Sequence, residues 1–432
     1  MTTMSLRRTA CLALASALAL GATAGCSAGG SADRAEGSVT WSTWGNPEEL
    51  AVFEEFNKDF MERHPDIRVD FQPVASYTDY HSKLTTQLTS GTAPDVFYVG
   101  DDRIASLVAN KVLEPLDPHL SEDAAIKLDD FSERIYRVAQ LDGSTYALPN
   151  DVNPDAFWYD KQALAQAGIT EDPAELAAKD QWTTQAFFSM TRKLAEAGMT
   201  GAAFWNYWST TNSIIESQAG PVYTDNAYTA NTNPAAVEAV QQWADRFASG
   251  ELAVADLMPA GQDADTLFVT HQLGFLVQGR YTVATIEGAG NSIDDYDVVR
   301  WPTPDGAAAS TGVASSFLAI NKNAADKKAA FTFFSEFLSR DGQTQRLSNS
   351  GNALPSIAGV DEIVTGSGKP AHVATLIDMR DEGFANYQVE AVVPDLSNTI
   401  ANDYMLPIYQ GKLSAQEGLD AIAKIVKESV GD

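Results

Sequence analysis

The sequence predicts an α/β chain folded as two lobes, on three observations. Short apolar runs rich in β-branched and aromatic residues alternate with segments of helical periodicity, the pattern of βαβ units. The chain has 432 residues, more than one hydrophobic core usually serves, so two cores are expected. Its 44% hydrophobic and 20% charged residues are those of an ordinary globular protein.

The N-terminus reads as a processing signal. Arg7 and Arg8 precede an Ala/Leu-rich run from Cys11 to Leu20, and small residues lead to Cys26. A positive start, a short apolar run and small residues before a cut predict a signal peptide over residues 1–25, and the run is too short to span a membrane. Of the two cysteines, Cys11 leaves with the leader, so Cys26 has no disulfide partner and calls for another role. The Gly/Ser/Ala-rich stretch to Ser38 is expected to be a flexible tether, residues 26–38.

Val39–Trp44 is predicted as the first strand, with Trp41 and Trp44 at its end. Asn46-Pro47 with Glu49 starts a helix; Phe53, Phe56 and Phe60 recur at helical spacing, and His64-Pro65 stops it. Ile67, Val69 and Phe71 alternate as a second strand. Tyr77, Tyr80, Leu84 and Leu88 mark a second helix, ending at Gly91. Pro94 then opens the third strand, Val96–Val99, followed by Gly100, Asp101, Asp102 and Arg103. Ligands of open α/β sheets bind at the carboxyl ends of strands, and two carboxylates with a guanidinium there offer acceptors and donors for hydroxyl groups. The alternative for the same residues is a helix N-cap, the role favoured for Asp101.

In the middle of the chain Trp182–Ala197 and Asn233–Ser249 read as helices, the second bounded by Asn233-Pro234 and Gly250. Between them Phe204–Trp208 is unusually aromatic, a run suited to a ligand platform or to burial under a helix. Ala325–Ser339 carries Phe333, Phe334 and Phe337 on one helix. The last helix opens with the capping box Ser414 and Glu417 and presents Leu419, Ile422 and Val426 on one face.

Charge and missing motifs narrow the function. With 29 basic and 58 acidic residues the net charge is −29, which repels nucleic acid and anionic lipid and disfavours an anionic ligand. The five histidines are scattered without metal-ligand spacing, and one mature cysteine makes a structural zinc site improbable. Gly366-Ser-Gly-Lys369 lacks the upstream glycine of a phosphate loop and has Pro370 in place of Ser or Thr. No Gly-x-Ser-x-Gly turn and no dinucleotide fingerprint occurs, so no cofactor and no metal is expected. Carboxylate pairs are too common in so acidic a chain to argue for acid/base catalysis.

Taken in order, the segments Leu88–Val96, Tyr146–Pro149, Phe157–Lys161, Ala167–Ile169, Gly274–Tyr281, Gly312–Asn321, Phe331–Gly342 and Ser414–Lys427 resemble the extracellular solute-binding proteins of ABC importers, specifically the sugar-binding type related to maltose and oligosaccharide binders. The resemblance covers essentially the whole mature chain. It implies a two-lobed, periplasmic-binding-protein-like fold, each lobe a mostly parallel sheet flanked by helices, joined by a three-segment hinge near Asn150–Pro154, Ser310–Val313 and Ala353–Ser356. Residues 39–152 plus 313–353 would form one lobe, and 153–312 plus 354–432 the other. Thr23-Ala-Gly-Cys26 is similar to the bacterial lipobox, with Thr23 where Leu is usual, which implies lipidation of Cys26 and an anchor on the outer face of the bacterial cell membrane. By position in the family pattern, Asp102 and Arg103 match a pair that contacts sugar hydroxyls, and Asp151 stands at the first crossing. Tyr281 takes the place of a sugar-stacking Trp, while Gly312 to Ser315 are placed to supply backbone and hydroxyl donors. Trp44, or Trp41, would face the cleft from the first strand. The function implied is capture of a mono- or oligosaccharide, without chemistry on it, and delivery to the permease subunits of an ABC importer. Rival readings are a binder of another polar solute, such as a glycerol phosphodiester or a polyamine, and a secreted glycoside hydrolase, which would need two carboxylates about 5–10 Å apart across the scissile bond.

Overall fold

The computed structural model describes residues 36–45, 47–120, 124–225, 227–348 and 352–430. Cys26, the leader and most of the tether lie outside them.

The opening third of the chain alternates as its periodicity requires. Strand β1 (Ser38–Ser42) begins on the last residue assigned to the tether, because the backbone N–H of Gly37 is already held by Asp326 Oδ2 at 3.0 Å. Helix α1 (Pro47–Arg63) ends before His64-Pro65. Then come β2 (Arg68–Phe71), α2 (Tyr77–Ser90), β3 (Val96–Gly100) and α3 (Asp101–Ala109). Helix α2 is capped by Ser76 at one end and by left-handed Gly91 at the other. After β4 (Ala147–Pro154) a single residue, Asp155, separates it from β5 (Ala156–Asp160).

Residues beyond β5 build a second layered unit: α4 (Thr184–Glu196), β6 (Thr200–Phe204), α5 (Trp208–Ala219), α6 (Pro234–Ser249), β7 (Leu252–Val254), β8 (Leu273–Gln278), α7 (Thr282–Gly288) and β9 (Tyr296–Val299). The chain then returns through β10 (Gly312–Ile320), α8 (Lys327–Leu338), α9 (Arg340–Leu347), β11 (Leu354–Pro355) and β12 (Phe384–Ala385), and closes with α10 (Ala415–Val430).

Two sheets result. The first runs β11-β4-β10-β3-β1-β2, with β12 also paired to β10; the second runs β7-β6-β8-β5-β9. The parallel pairing expected of βαβ units holds for β2-β1-β3 and for β7-β6-β8. The strands next to the crossings run the other way: β10 is antiparallel to β3 and β4, and β5 to β8 and β9. Both sheets are therefore mixed rather than mostly parallel, because a chain arriving from the other sheet enters without a helical crossover to set its direction. Leu354 and Pro355 pair with Val152 and Asp151 in the first sheet.

Each sheet has its own aromatic core. Trp41 is fully buried and packs on Phe71 at 4.6 Å, Phe337 at 5.2 Å and Phe333 at 5.5 Å between ring centroids, joining β1 to α8. In the second unit Phe187, Trp243 and Phe204 pack together, with Phe157 and Trp301 alongside. Burial of aromatics on this scale is the main stabilising term of either unit. Among the described residues no helix is long and apolar enough to cross a membrane.

Candidate ligand-binding cleft

The chain crosses between the sheets at neighbouring points. β4 ends beside the start of β10, with Val313 opposite Pro154, and the N–H of Asp155 donates to the Gly312 carbonyl at 3.0 Å. The indole N–H of Trp301 donates to the Asp155 carbonyl at 2.6 Å. These bonds tie the crossings together at the base of a cleft whose walls come from both sheets.

The cleft contains a cavity of about 390 Å³, within the range of small-molecule sites, lined by Trp44, Glu49, Tyr98, Asp151, Asn153, Tyr281, Thr285, Ser316 and Arg346 among others. A smaller recess of about 150 Å³ shares Trp44, Asp151, Asn153 and Ser316 with it and adds Tyr77, Asp101 and Ser315. Trp44 thus stands at the junction of the two spaces. Its ring is fixed edge-on to Tyr77 at 5.0 Å and to Tyr98 at 5.5 Å, with His81 at 5.1 Å. His81 is neutral: burial lowers its pKa to about 4. Its Nε2 accepts from the Gly100 N–H at 3.2 Å, while Nδ1 faces the Tyr77 carbonyl at 3.0 Å.

At the carboxyl end of β3 the three residues after the strand have different tasks. Gly100, not Asp101, is the N-cap of α3. The Asp101 carboxylate instead turns to the neighbouring strand, where Oδ2 accepts from the Ser315 N–H at 3.1 Å. The capping role expected of Asp101 is therefore corrected: a long-range backbone donor took its side chain. Burial, then the charge of Asp102, pushes Asp101 up to about 8 against the opposing hydrogen bond from Ser315. Asp102 accepts from the Tyr77 hydroxyl at 2.6 Å and lies 3.4 Å from Arg103 Nε; it meets the recess through Tyr77. Arg103 keeps a partly exposed side chain outside the lining of either space. Gly100 is required here, since a Cβ would lie 1.9 Å from the Tyr77 hydroxyl oxygen.

Asp151 lines both spaces. Burial raises it to about 6 while the Arg346 guanidinium opposes the shift, and Asn150 donates to it at 2.6 Å. Asp155, at the crossing, is raised to about 7 by burial. Ser315 lines the recess, whereas the N–H of Gly312 is taken by Ser213 Oγ at 3.0 Å. The backbone donors expected of these two positions are thus engaged within the protein. Tyr281, 41% exposed, lines the larger space from the second sheet's side. Trp41 is core.

Several cleft residues were not singled out from sequence. Tyr77 read only as a helix marker. Within Phe204–Trp208 the expected burial holds for Phe204 and Trp208, whereas Tyr207 is 49% exposed and stacks on Trp205 at 6.2 Å. Burial, then the charges of Asp256, Asp155 and Asp102, raises the Tyr207 hydroxyl. Glu49 and Arg346 had no local signal, being a helix-start acid and a helix-end base. Among the described residues no group of three or more His, Cys, Asp or Glu is placed to hold a metal ion.

Two α/β units hinged at adjacent crossings, with a polar and aromatic cleft between them, define a solute-binding protein. The profile of the bacterial extracellular solute-binding protein family matches residues 44–344, and the chain belongs to that family. A binding protein of Brucella abortus is 26% identical over 388 residues, 86% of this chain and 88% of its own. Among solved structures, an ABC substrate-binding protein of Listeria monocytogenes in complex with cycloalternan superposes with a TM-score of 0.75 at 20% identity, covering 91% of this chain and 99% of its own. The cyclic α-maltosyl-1,6-maltose binding protein of Arthrobacter globiformis gives a TM-score of 0.75 at 21% identity, over 92% and 99%. The fold of this chain is that of the two-lobed periplasmic binding proteins.

Proposed function

We propose that this protein captures a mono- or oligosaccharide outside the cell and delivers it, unaltered, to the permease subunits of an ABC importer. The observation that carries this reading is the cleft wall, which sets carboxylates (Asp101, Asp151) beside the rings of Trp44 and Tyr281. A pyranose presents hydroxyls at its edge and C–H groups on its face, and such a wall meets both. Family membership supports export and solute binding, and the sugars named with the two structural neighbours support the ligand class. Lipidation at Cys26 would hold the protein on the outer face of the membrane.

In this reading two bodies, one built on each large sheet, close about the crossings, with the expected boundary corrected: Leu354-Pro355 and Phe384-Ala385, expected in the second lobe, pair into the first sheet. The ligand favours the closed form only by the difference between its affinities for the two states. A thermal-shift screen against mono- and oligosaccharides tests it, because a ligand bound only by the folded protein raises apparent stability. At least one sugar is expected to raise the melting temperature by several degrees in a concentration-dependent way; no shift from any sugar, with a shift from glycerol phosphodiesters or polyamines, would overturn it.

A further inference from the structure

Resting on the carbohydrate reading, we infer that Asn153 and Arg280 are positioning residues for Tyr281. They strap the turn that carries it to the first sheet, so the larger cavity is a sugar seat built before the lobes close. Tyr281 stands on the chain that leaves β8 of the second sheet, as the residue before α7. The opposite wall of the same cavity, with Asp151 and Ser316, belongs to β4 and β10 of the first sheet. A seat with walls on two bodies would come apart whenever the bodies part, unless something joins the walls.

Three observations show the join. The backbone N–H of Arg280 donates to Asn153 Oδ1 at 2.9 Å, and Asn153 lies in β4, opposite Ala314 of β10. The Arg280 side chain reaches a second segment: its Nη1 donates to the Ala353 carbonyl at 3.2 Å, next to Leu354, which pairs with Val152 of β4. Gly279 permits the approach. A Cβ there would lie 2.6 Å from Asn153 Oδ1 and 2.7 Å from Asn153 Cβ, so a residue without one is needed for the turn to come this close to β4. On its own side the turn is held by the Trp158 indole N–H, which donates to the Gly279 carbonyl at 3.1 Å.

Arg280 does not itself face a ligand. It is 8% exposed and lines neither space. A guanidinium is costly to bury unless hydrogen bonds hold it, and here those bonds fix the backbone one residue from an exposed aromatic ring. A ring whose place is set in advance loses less freedom when a sugar covers it, and the complex is tighter by that difference.

Fluorine NMR of the protein labelled with meta-fluorotyrosine tests the strap without any sugar, the Tyr281 line being the one lost in Tyr281→Phe. A single Tyr281 line is expected from the unliganded protein. Arg280→Gln, checked for folding by its melting curve, should shift or split that line, and Arg280→Lys, which keeps a donor for the Ala353 carbonyl, should restore it. Asn153→Leu removes the other bond and should move the same line, which keeps the test open if Arg280→Gln does not fold. Calorimetric titrations with glucose, maltose and cellobiose then test what the strap serves. At least one of these sugars is expected to bind, and to bind Arg280→Gln about fivefold more weakly. That loss should vanish in a Tyr281→Ala background. A split Tyr281 line in the unliganded wild-type protein, a line that neither variant moves, or a loss that persists without the tyrosine ring would overturn this inference and leave the carbohydrate reading standing. Every sugar silent, in titration and in thermal shift, would overturn both.

Discussion

At position 100 a methyl group would land 1.9 Å from the Tyr77 hydroxyl oxygen and 2.7 Å from Asp102 Oδ1. Gly100→Ala is therefore expected to cost about 1–3 kcal/mol through overpacking. Part of that cost should vanish in the Gly100→Ala/Tyr77→Phe double variant, because the clashing oxygen is gone; denaturant unfolding of the four proteins in the cycle measures the coupling. Asp102→Ala removes the anchor of Tyr77 and should weaken ligand binding by about tenfold with little loss of fold, since the side chain is partly exposed; titration calorimetry with the ligand found by the thermal screen checks it. Asp101 carries a pH prediction. Its folded pKa is raised to about 8, above its unfolded value near 4, so the folded form binds the proton more tightly. Stability is then fully present below the unfolded value and falls as pH rises through the folded one. Asp101→Asn should stabilise the unliganded protein by about 1 kcal/mol above pH 8 and by almost nothing at pH 4, a modest figure because water reaches the group. Melting curves across that range decide it.

Among the elements, the terminal helix α10 shows a local rule working as written. The Ser414 hydroxyl donates to Glu417 Oε2 at 2.8 Å and accepts from the Glu417 N–H at 3.3 Å, while Leu419, Ile422 and Val426 are buried. Ser414→Ala is expected to lower stability by about 1 kcal/mol, read from the midpoint of chemical unfolding. Helix starts, helix stops and the buried strand β3 were legible because caps, prolines and glycines act within a few residues. What sequence reasoning missed at this scale was strand direction and the partner of Asp101. Both are settled by chain segments far apart: β10 joins β3 and β4 from over 150 residues away, and Asp101 meets Ser315 across 214. Local patterns carry no record of such encounters. The aromatic run Phe204–Trp208 was ambiguous for the same reason, since its ends, Phe204 and Trp208, are buried while Tyr207 between them is exposed.

For the whole molecule, the family was legible because ordered segments along the chain carry it together. The cleft was half legible: Trp44, Asp151, Ser315 and Tyr281 line its spaces, while Asp102 and Arg103 stand behind Tyr77 or outside the lining, and Gly312 spends its N–H internally. Residues such as Tyr77, Thr285 and Arg346 line adjoining spaces only because the two sheets meet. The adjacent crossings at Asp155 and Gly312 also set how the bodies can move. If the bodies close about these crossings as proposed, small-angle scattering with saturating ligand should show a smaller radius of gyration than the unliganded protein.

The distribution of indoles has a practical consequence. Trp41, Trp158, Trp182, Trp208, Trp243 and Trp301 are fully or almost fully buried, whereas Trp44 and Trp205 retain access to water. The chain accordingly contains its own optical reporter: Trp44 lines both spaces, so its emission is expected to answer to occupancy against the background of the six buried rings. A Trp44→Phe exchange would dim that signal and identify which ring the guest covers, with no label attached.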